Sequence, residues 1–368
     1  MYLERLAVHG IRNIDHAELF LSPGANLIFG HNGSGKTSLL EAVHLLSRGR
    51  SFRSNSLKSV ISHHIAECTC FGLINGDTGG QPVPIGVSRS SDGAFVFKLD
   101  GNQVTSASRL AEALPLQLIN ATSFLLLDGP PSARRGFMDW GVFHVEHSYR
   151  ELWSRFQKCL KQRNSLLRHG KMDDLQLSVW DREFTAIAEP MDEARIRHIE
   201  SLVPVLQQVI QDLGLKGEFS FRYVPGWDHS KDFLAQLQAA HLRDRKAGFT
   251  NLGPHRADLR ILRDGQPASE VMSRGQAKML VCAMKIAQSL LLRERTGRQC
   301  IFLLDDLPSE LDARHRQAVC ESLMAMEVQI LVTAVELRDL DSFRAAEGAL
   351  HKPALFHVEQ GKVSQASA

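Results

Sequence analysis

The sequence predicts an α/β protein: a mixed sheet with an antiparallel β subdomain, and a helical lobe with a short antiparallel arm inserted between its two halves. Three stretches lead to that expectation. Gly30-His31-Asn32-Gly33-Ser34-Gly35-Lys36-Thr37 fills every fixed position of the pattern G-x-x-x-x-G-K-[ST]. Gln299-Cys300-Ile301-Phe302-Leu303-Leu304-Asp305-Asp306 is an apolar strand ending in two carboxylates. Met272-Ser273-Arg274-Gly275-Gln276 opens an apolar helical stretch that runs to Ala287.

Each stretch carries its own chemistry. Asn26-Leu27-Ile28-Phe29 suits a buried strand and Ser38 to Leu46 reads as a helix, so the glycine-rich loop has the strand–loop–helix setting that a chance match lacks. Its glycines let successive N–H groups turn inward on phosphate oxygens, and the helix N-terminus adds partial positive charge. Lys36 is placed to reach the β- and γ-phosphates, and the Thr37 hydroxyl to ligate Mg²⁺. The expected contacts are Gly30, Asn32, Gly33, Ser34, Gly35, Lys36, Thr37 and Ser38. At the second stretch, a Walker B pattern, Asp305 would join the Mg²⁺ shell and Asp306 would polarise the attacking water, which requires this strand to lie beside the phosphate loop. Two carboxylates at a strand end would otherwise read as solvated charges, a reading that the phosphate loop weakens.

In the third stretch a Ser and a Gly at a helix start make a second anion site, where an isolated Ser would be an ordinary N-cap. Order decides between the two. A second anion-binding helix start ahead of a Walker B strand, then Ser309-Glu310-Leu311-Asp312 as a D-loop, is the layout of an ABC-type P-loop ATPase head using ATP and Mg²⁺. Gln117, in the strand Leu116-Gln117-Leu118-Ile119, is the candidate for the glutamine that touches the metal or its water in such heads.

Length and composition set the bounds. A chain of 368 residues exceeds what one core usually supports, so two lobes are expected. With 43 Lys and Arg against 41 Asp and Glu, the net charge of +2 says nothing by itself about nucleic acid; clustering does. No apolar run approaches the roughly 18 residues of a membrane span. The N-terminus lacks a signal-peptide pattern, so a cytoplasmic location and no membrane partner are expected. The six cysteines form no paired framework. Alternation around Cys68 and Cys70 fits a strand better than a zinc site.

Along the chain, Tyr2 to Phe29 reads as strands, and residues 65 to 120 alternate as an antiparallel subdomain. Arg48, Arg50, Arg53 and Lys58 cluster beside the nucleotide site, a candidate phosphodiester contact. After Gly129-Pro130-Pro131, Tyr149, Leu152, Trp153, Phe156, Leu160 and Leu167 recur near helical spacing; Leu177, Trp180, Phe184, Ile187, Met191 and Ile199 repeat the pattern. The pair suggests an antiparallel helical arm. Arg155, Lys158, Lys161, Arg163 and Arg168 on the first helix, with no acid among them, make a second candidate DNA face. The expected division is 1–127 for the first half of the ATPase core, 128–248 for the helical lobe and 249–368 for the signature helix, Walker B strand and D-loop.

Taken together, the motifs resemble the RecF family of bacterial recombination-mediator ATPases, related to the heads of chromosome-maintenance proteins. The resemblance also rests on Leu6 to Ile14, Gly49-Arg50-Ser51-Phe52-Arg53, Arg134 to Gly141 and Gly253-Pro254-His255-Arg256. It implies that Arg12 lies near the nucleotide and that Ser273, Gly275, Gln276 and Asp312 face the phosphate loop of a second copy. ATP would then close a head-to-tail homodimer on duplex, gapped or junction DNA, and slow hydrolysis would release it, aiding RecA loading with RecR and RecO. Thr333 stands where transporter heads place a switch histidine, which disfavours the alternative of a transporter ATPase subunit. The absence of an N-K-x-D motif disfavours a GTPase.

Overall fold

The computed structural model describes residues 1–54, 59–76, 80–168, 174–344 and 350–366. They fall into two compact units: Met1–Ser123, Asp212–Gly214 and Arg274–Ala368 form the first, and Phe124–Gln211 with Leu215–Ser273 the second. The first opens with β1 (Tyr2–Ile11), β2 (Ile14–Phe20), β3 (Ala25–Phe29) and α1 (Lys36–Arg48). It continues through β4 (Glu67–Asn75), β5 (Val83–Ser90), β6 (Phe95–Leu99), β7 (Asn102–Val104), α2 (Ala107–Ala113) and β8 (Leu116–Ile119). The second holds α3 (Leu125–Asp128), α4 (Pro131–Val145), α5 (Tyr149–Arg168), α6 (Asp174–Asp212) and β9 (Phe219–Val224). Then come α7 (Phe233–Ala239), α8 (His241–Ala247), β10 (Asp258–Arg263), β11 (Gln266–Pro267) and α9 (Ala268–Val271). The first unit resumes with α10 (Arg274–Thr296), β12 (Ile301–Leu304), α11 (Leu307–Glu310), α12 (Ala313–Ala325) and β13 (Ile330–Ala334). It ends with α13 (Asp341–Arg344), β14 (Ala354–Glu359) and β15 (Lys362–Ala366).

One sheet of the first unit has the order β15-β14-β3-β13-β12-β8, parallel except for the edge strand β15. Parallel strands are covered on both faces and so read as unbroken apolar runs; β12 and β13 are buried at every position. The end of the Walker B strand β12 lies beside the phosphate loop as expected, Thr37 reaching Asp305, although β13 stands between β12 and the phosphate-loop strand β3 in the sheet. The second sheet, β2-β1-β4-β5-β6-β7, is antiparallel. It takes in β1 and β2 as well as the strands expected from 65 onward. β8 leaves it for the parallel sheet because Leu116, Gln117 and Ile119 are buried, leaving no polar face for solvent. In β4 the alternation turns Cys68 and Cys70 inward, where burial pushes the Cys68 thiol up to about 11. Helix α1 touches strands of both sheets, which is why Leu39, Leu40, Val43 and Leu46 are buried around its circumference. It stops at Gly49, left-handed at φ 62°, whose N–H donates to Leu45 O at 2.8 Å.

In the second unit α5 and α6 run past each other in opposite senses: Arg155 meets Glu183 and Arg163 meets Asp181. Their apolar stripes meet in a core of Phe156, Phe184, Ile187, Met191 and Trp227. Residues 249–273, expected with the ATPase core, group with this unit because β10 pairs with β9 along its whole length, from Asp258↔Val224 to Arg263↔Phe219. No helix among the described residues is long and apolar enough to cross a membrane.

Burial lowers three histidines, His44 to about 3, His198 to about 4 and His255 to about 4. Their folded values lie below the ordinary value near 6.5, so between 6.5 and 4 the unfolded chain binds more protons than the folded one. Stability therefore rises with pH across that window and is lost as pH falls through it. Thermal melts from pH 7 to 4 should show a falling Tm, and His198→Leu should flatten the fall; a Tm flat across the window would contradict this.

Candidate functional site

The phosphate loop joins β3 to α1. Gly30, Gly33 and Gly35 have φ of 152°, 78° and 122°, values that a side chain disfavours. At Gly30 a Cβ would also stand 2.1 Å from the Val358 carbonyl oxygen of β14. Asn13, in the turn between β1 and β2, donates from Nδ2 to the carbonyls of Gly33 (3.1 Å) and Ser34 (3.0 Å), and its Oδ1 accepts from Ser38 Oγ at 3.1 Å. The β14–β15 turn closes another side, where the Gly361 N–H donates to Ser34 O at 2.8 Å. Three neighbouring elements thus shape the loop. Within it Ser34 Oγ is buried without a hydrogen-bond partner.

Lys36 Nζ donates to the carbonyls of Gly30 (2.6 Å) and His31 (2.9 Å). Burial holds its pKa down, opposed by the charges of Asp306 and Asp305. Across the sheet, Thr37 Oγ1 donates to Asp305 Oδ1 at 2.9 Å, and Thr333 Oγ1 donates to the same oxygen at 3.0 Å. Thr333 Oγ1 accepts in turn from the Asp306 N–H at 2.9 Å. The intervening strand β13 therefore supplies the residue that links the Asp305 carboxylate to the Asp306 backbone. Burial raises the Asp305 pKa, and the two hydroxyls oppose that shift. Asp306 is left-handed at φ 54° and makes no side-chain cap at the start of α11. A hydroxyl and a carboxylate oxygen at this separation form a hard-donor set that suits Mg²⁺.

Arg12, expected near the nucleotide, pairs with a buried acid. Its Nε and Nη2 meet Glu41 Oε2 and Oε1 at 2.9 and 2.8 Å, and Nη1 donates to Ser59 O. Glu41 also accepts from Ser51 Oγ and lies 3.8 Å from Arg53. The sequence reading missed Glu41; its signal was a single acid inside the apolar run Leu39 to Val43. Gln117, expected to touch the metal or its water, is buried. It sits level with Phe302, two positions short of the strand end, and its Nε2 donates to Gln288 Oε1 at 3.1 Å in the interior.

Ser273 closes the second unit, exposed, and Gly275 and Gln276 lie in the first turn of α10. The His315 ring lies beside Gly275, 3.8 Å from where a Cβ would stand. Its Nδ1 is 2.7 Å from Asp312 Oδ2, and Asp312 caps α12 by accepting the His315 N–H at 2.9 Å. Lys278 Nζ meets Glu310 O and Oε2 at 2.8 and 2.6 Å. The signature helix and the D-loop are thus brought together.

The candidate DNA contacts divide. Arg50 and Arg53 are exposed, whereas Arg48 is half-buried and its pKa is lowered to about 10 by burial. Lys58 lies outside the described residues. On α5, Lys158 and Lys161 are exposed, and Arg155 is exposed but 2.7 Å from Glu183. Arg163 does not belong to that face: it is fully buried against Asp181 (2.8 Å) and Asp244 (2.9 Å).

Comparison with known proteins agrees with this geometry. A family model described as the RecF/RecN/SMC N terminal domain matches residues 2–352. The DNA replication and repair protein RecF of Cellvibrio japonicus is 46% identical over 99% of both chains, and that of Pseudomonas aeruginosa is 46% identical over 99% of this chain and 98% of its own. A solved structure of the recombination mediator protein RecF-ATP in the RecFOR pathway has a TM-score of 0.86 at 24% identity, covering 100% of this chain and 98% of that one. An Smc head bound to the C-winged helix domain of ScpA has a TM-score of 0.60 at 16% identity, with coverage of 100% and 98%. The fold is thus that of an ATPase head shared by RecF and Smc, and the chain belongs to the RecF family of DNA replication and repair proteins.

Proposed function

We propose that this chain is an ATP-dependent DNA-binding protein of recombinational and replication-gap repair. In this reading ATP closes a head-to-tail homodimer on DNA in the cytoplasm, and slow, DNA-stimulated hydrolysis releases it. The observation that carries the proposal is the meeting of Thr37 with Asp305 at 2.9 Å, two residues 268 positions apart whose hydroxyl and carboxylate oxygens suit a phosphate-bound metal. Bound ATP with Mg²⁺ would supply the polarised γ-phosphoryl group. Thr37 and Asp305 would hold the metal, Lys36 would turn from the loop carbonyls to the β- and γ-oxygens, and Asp306 would hold the attacking water. Ser273, Gly275 and Gln276 would face the γ-phosphate held by the second copy, with Asp312 at the seam. Arg50, Arg53, Lys158 and Lys161 would contact DNA phosphates. The RecFOR pathway named for a solved relative supports RecR and RecO as partners, and RecA loading would be the outcome.

The test is fluorescence anisotropy of a gapped duplex titrated with and without ATP. Binding that tightens with ATP, weakens steeply with salt and loses its ATP effect in Lys36→Ala is expected. Binding insensitive to ATP in the native chain would remove the clamp. Ser273→Arg should keep nucleotide binding yet sediment as a monomer with a non-hydrolysable analogue, so a full dimer there would remove the seam.

A further inference from the structure

Among the described residues the three-stranded sheet of the second unit ends in an open edge, since β9 pairs with β10 on one side only. The Asp264 N–H donates to Glu218 O at 2.8 Å. In an antiparallel ladder that bond sets the hydrogen-bonded pairs at Ser220↔Leu262, Arg222↔Arg260 and Val224↔Asp258. The N–H and C=O of Phe221 and Tyr223 therefore point away from β10. One stripe of α6, Ile196, Ile199 and Val203, lines a groove of about 580 Å³ together with Phe221 and Tyr223. Pro204, in the same wall, has no N–H to offer the Glu200 carbonyl one turn earlier. The far end is held by Asp192, which accepts from the Tyr223 hydroxyl and lies 3.0 Å from His229 Nε2.

Charge on the sheet's outer face adds a second, independent observation. Arg222 and Arg260 are directly opposite across the ladder, both exposed, and neither has an ionic partner among the described residues. Like charges at that separation repel.

We propose that this edge docks an extended segment of a partner protein whose side chains run apolar, acidic, apolar. Its backbone completes the bonds offered by Phe221 and Tyr223, adding a fourth strand. Its apolar side chains, on the face shared with Phe221 and Tyr223, enter the groove against Ile196, Ile199 and Val203. The acidic side chain between them points to the other face, beside Arg222, and relieves the repulsion from Arg260. Strand alternation makes these two requirements fall on neighbouring residues, which a helical ligand cannot satisfy along a strand edge.

The experiment titrates the full chain into a short fluorescein-labelled peptide of alternating valine and glutamate, with a copy N-methylated at every second amide and a copy carrying lysine for glutamate. The unmodified peptide should bind saturably, slow amide exchange at Phe221 and Tyr223, and weaken about tenfold on Arg222→Glu. The N-methylated copy should not bind, and the lysine copy should prefer Arg222→Glu over the native chain. No binding by any peptide, equal binding of the N-methylated copy, or indifference to Arg222→Glu would overturn the proposal. Self-association of the native chain abolished by Arg222→Glu, without peptide binding, would make a second copy the occupant and overturn it equally.

Discussion

Asp306→Asn is expected to cut ATP turnover by about 10²–10³-fold while leaving ATP binding and ATP-dependent association intact. The choice of asparagine follows from the backbone. Asp306 is left-handed at φ 54°, a conformation that Asn tolerates nearly as well as Asp and that Ala does not. Its N–H bond to Thr333 Oγ1 at 2.9 Å uses the main chain and survives the exchange. What changes is the carboxylate, the group proposed to hold the attacking water. Single-turnover phosphate release would measure the rate, and sedimentation with ATP would show a dimer that persists. Turnover within threefold of the native chain would move the role of base elsewhere; loss of nucleotide binding would mean that Asp306 holds the metal instead.

Arg163→Ala is expected to destabilise the second unit by about 3–5 kcal/mol. The guanidinium is fully buried and bonds Asp181 Oδ1 at 2.8 Å, Asp244 Oδ2 at 2.9 Å and Thr250 Oγ1 at 2.7 Å. His241 Nε2 lies 2.6 Å from the other oxygen of Asp181, and the Asn251 side chain donates to Asp244 at 2.9 Å. Removing Arg163 leaves two carboxylates in a dry interior with one cation's worth of compensation gone. Calorimetry should show a transition lowered by about 10 °C, at the roughly 2–4 °C per kcal/mol expected for a unit of this size. Arg163→Met with Asp181→Asn and Asp244→Asn should recover most of the loss, because no charge is then left buried and unpaired. A single variant with a native melting profile would show that water reaches the cluster.

Much of the nucleotide site is legible in the chain because it is written locally. Gly30 to Thr37 is one continuous turn whose spacing must match one ligand, and Ile301 to Asp306 must be apolar up to the point where its carboxylates emerge from the sheet. Helical spacing likewise announced α5 and α6, since burying one stripe of a helix requires that period. The RecF resemblance followed from the same motifs in the same order.

Other decisions belong to the tertiary structure, because they depend on which distant segments become neighbours. Nothing near Thr333 announces that β13 will stand between β3 and β12 and place its hydroxyl on Asp305. Asn13 and Gly361 shape the phosphate loop from opposite ends of the chain. Nothing beside Arg12 in the chain announces that it pairs with Glu41, nor beside Gln117 that its amide meets Gln288. Arg163 carries the same charge in the sequence as Lys158 and Lys161. Only the fold buries it between Asp181 and Asp244 and leaves the other two in water, since charge is set by residue type but its availability is set by burial and by the partners that burial demands.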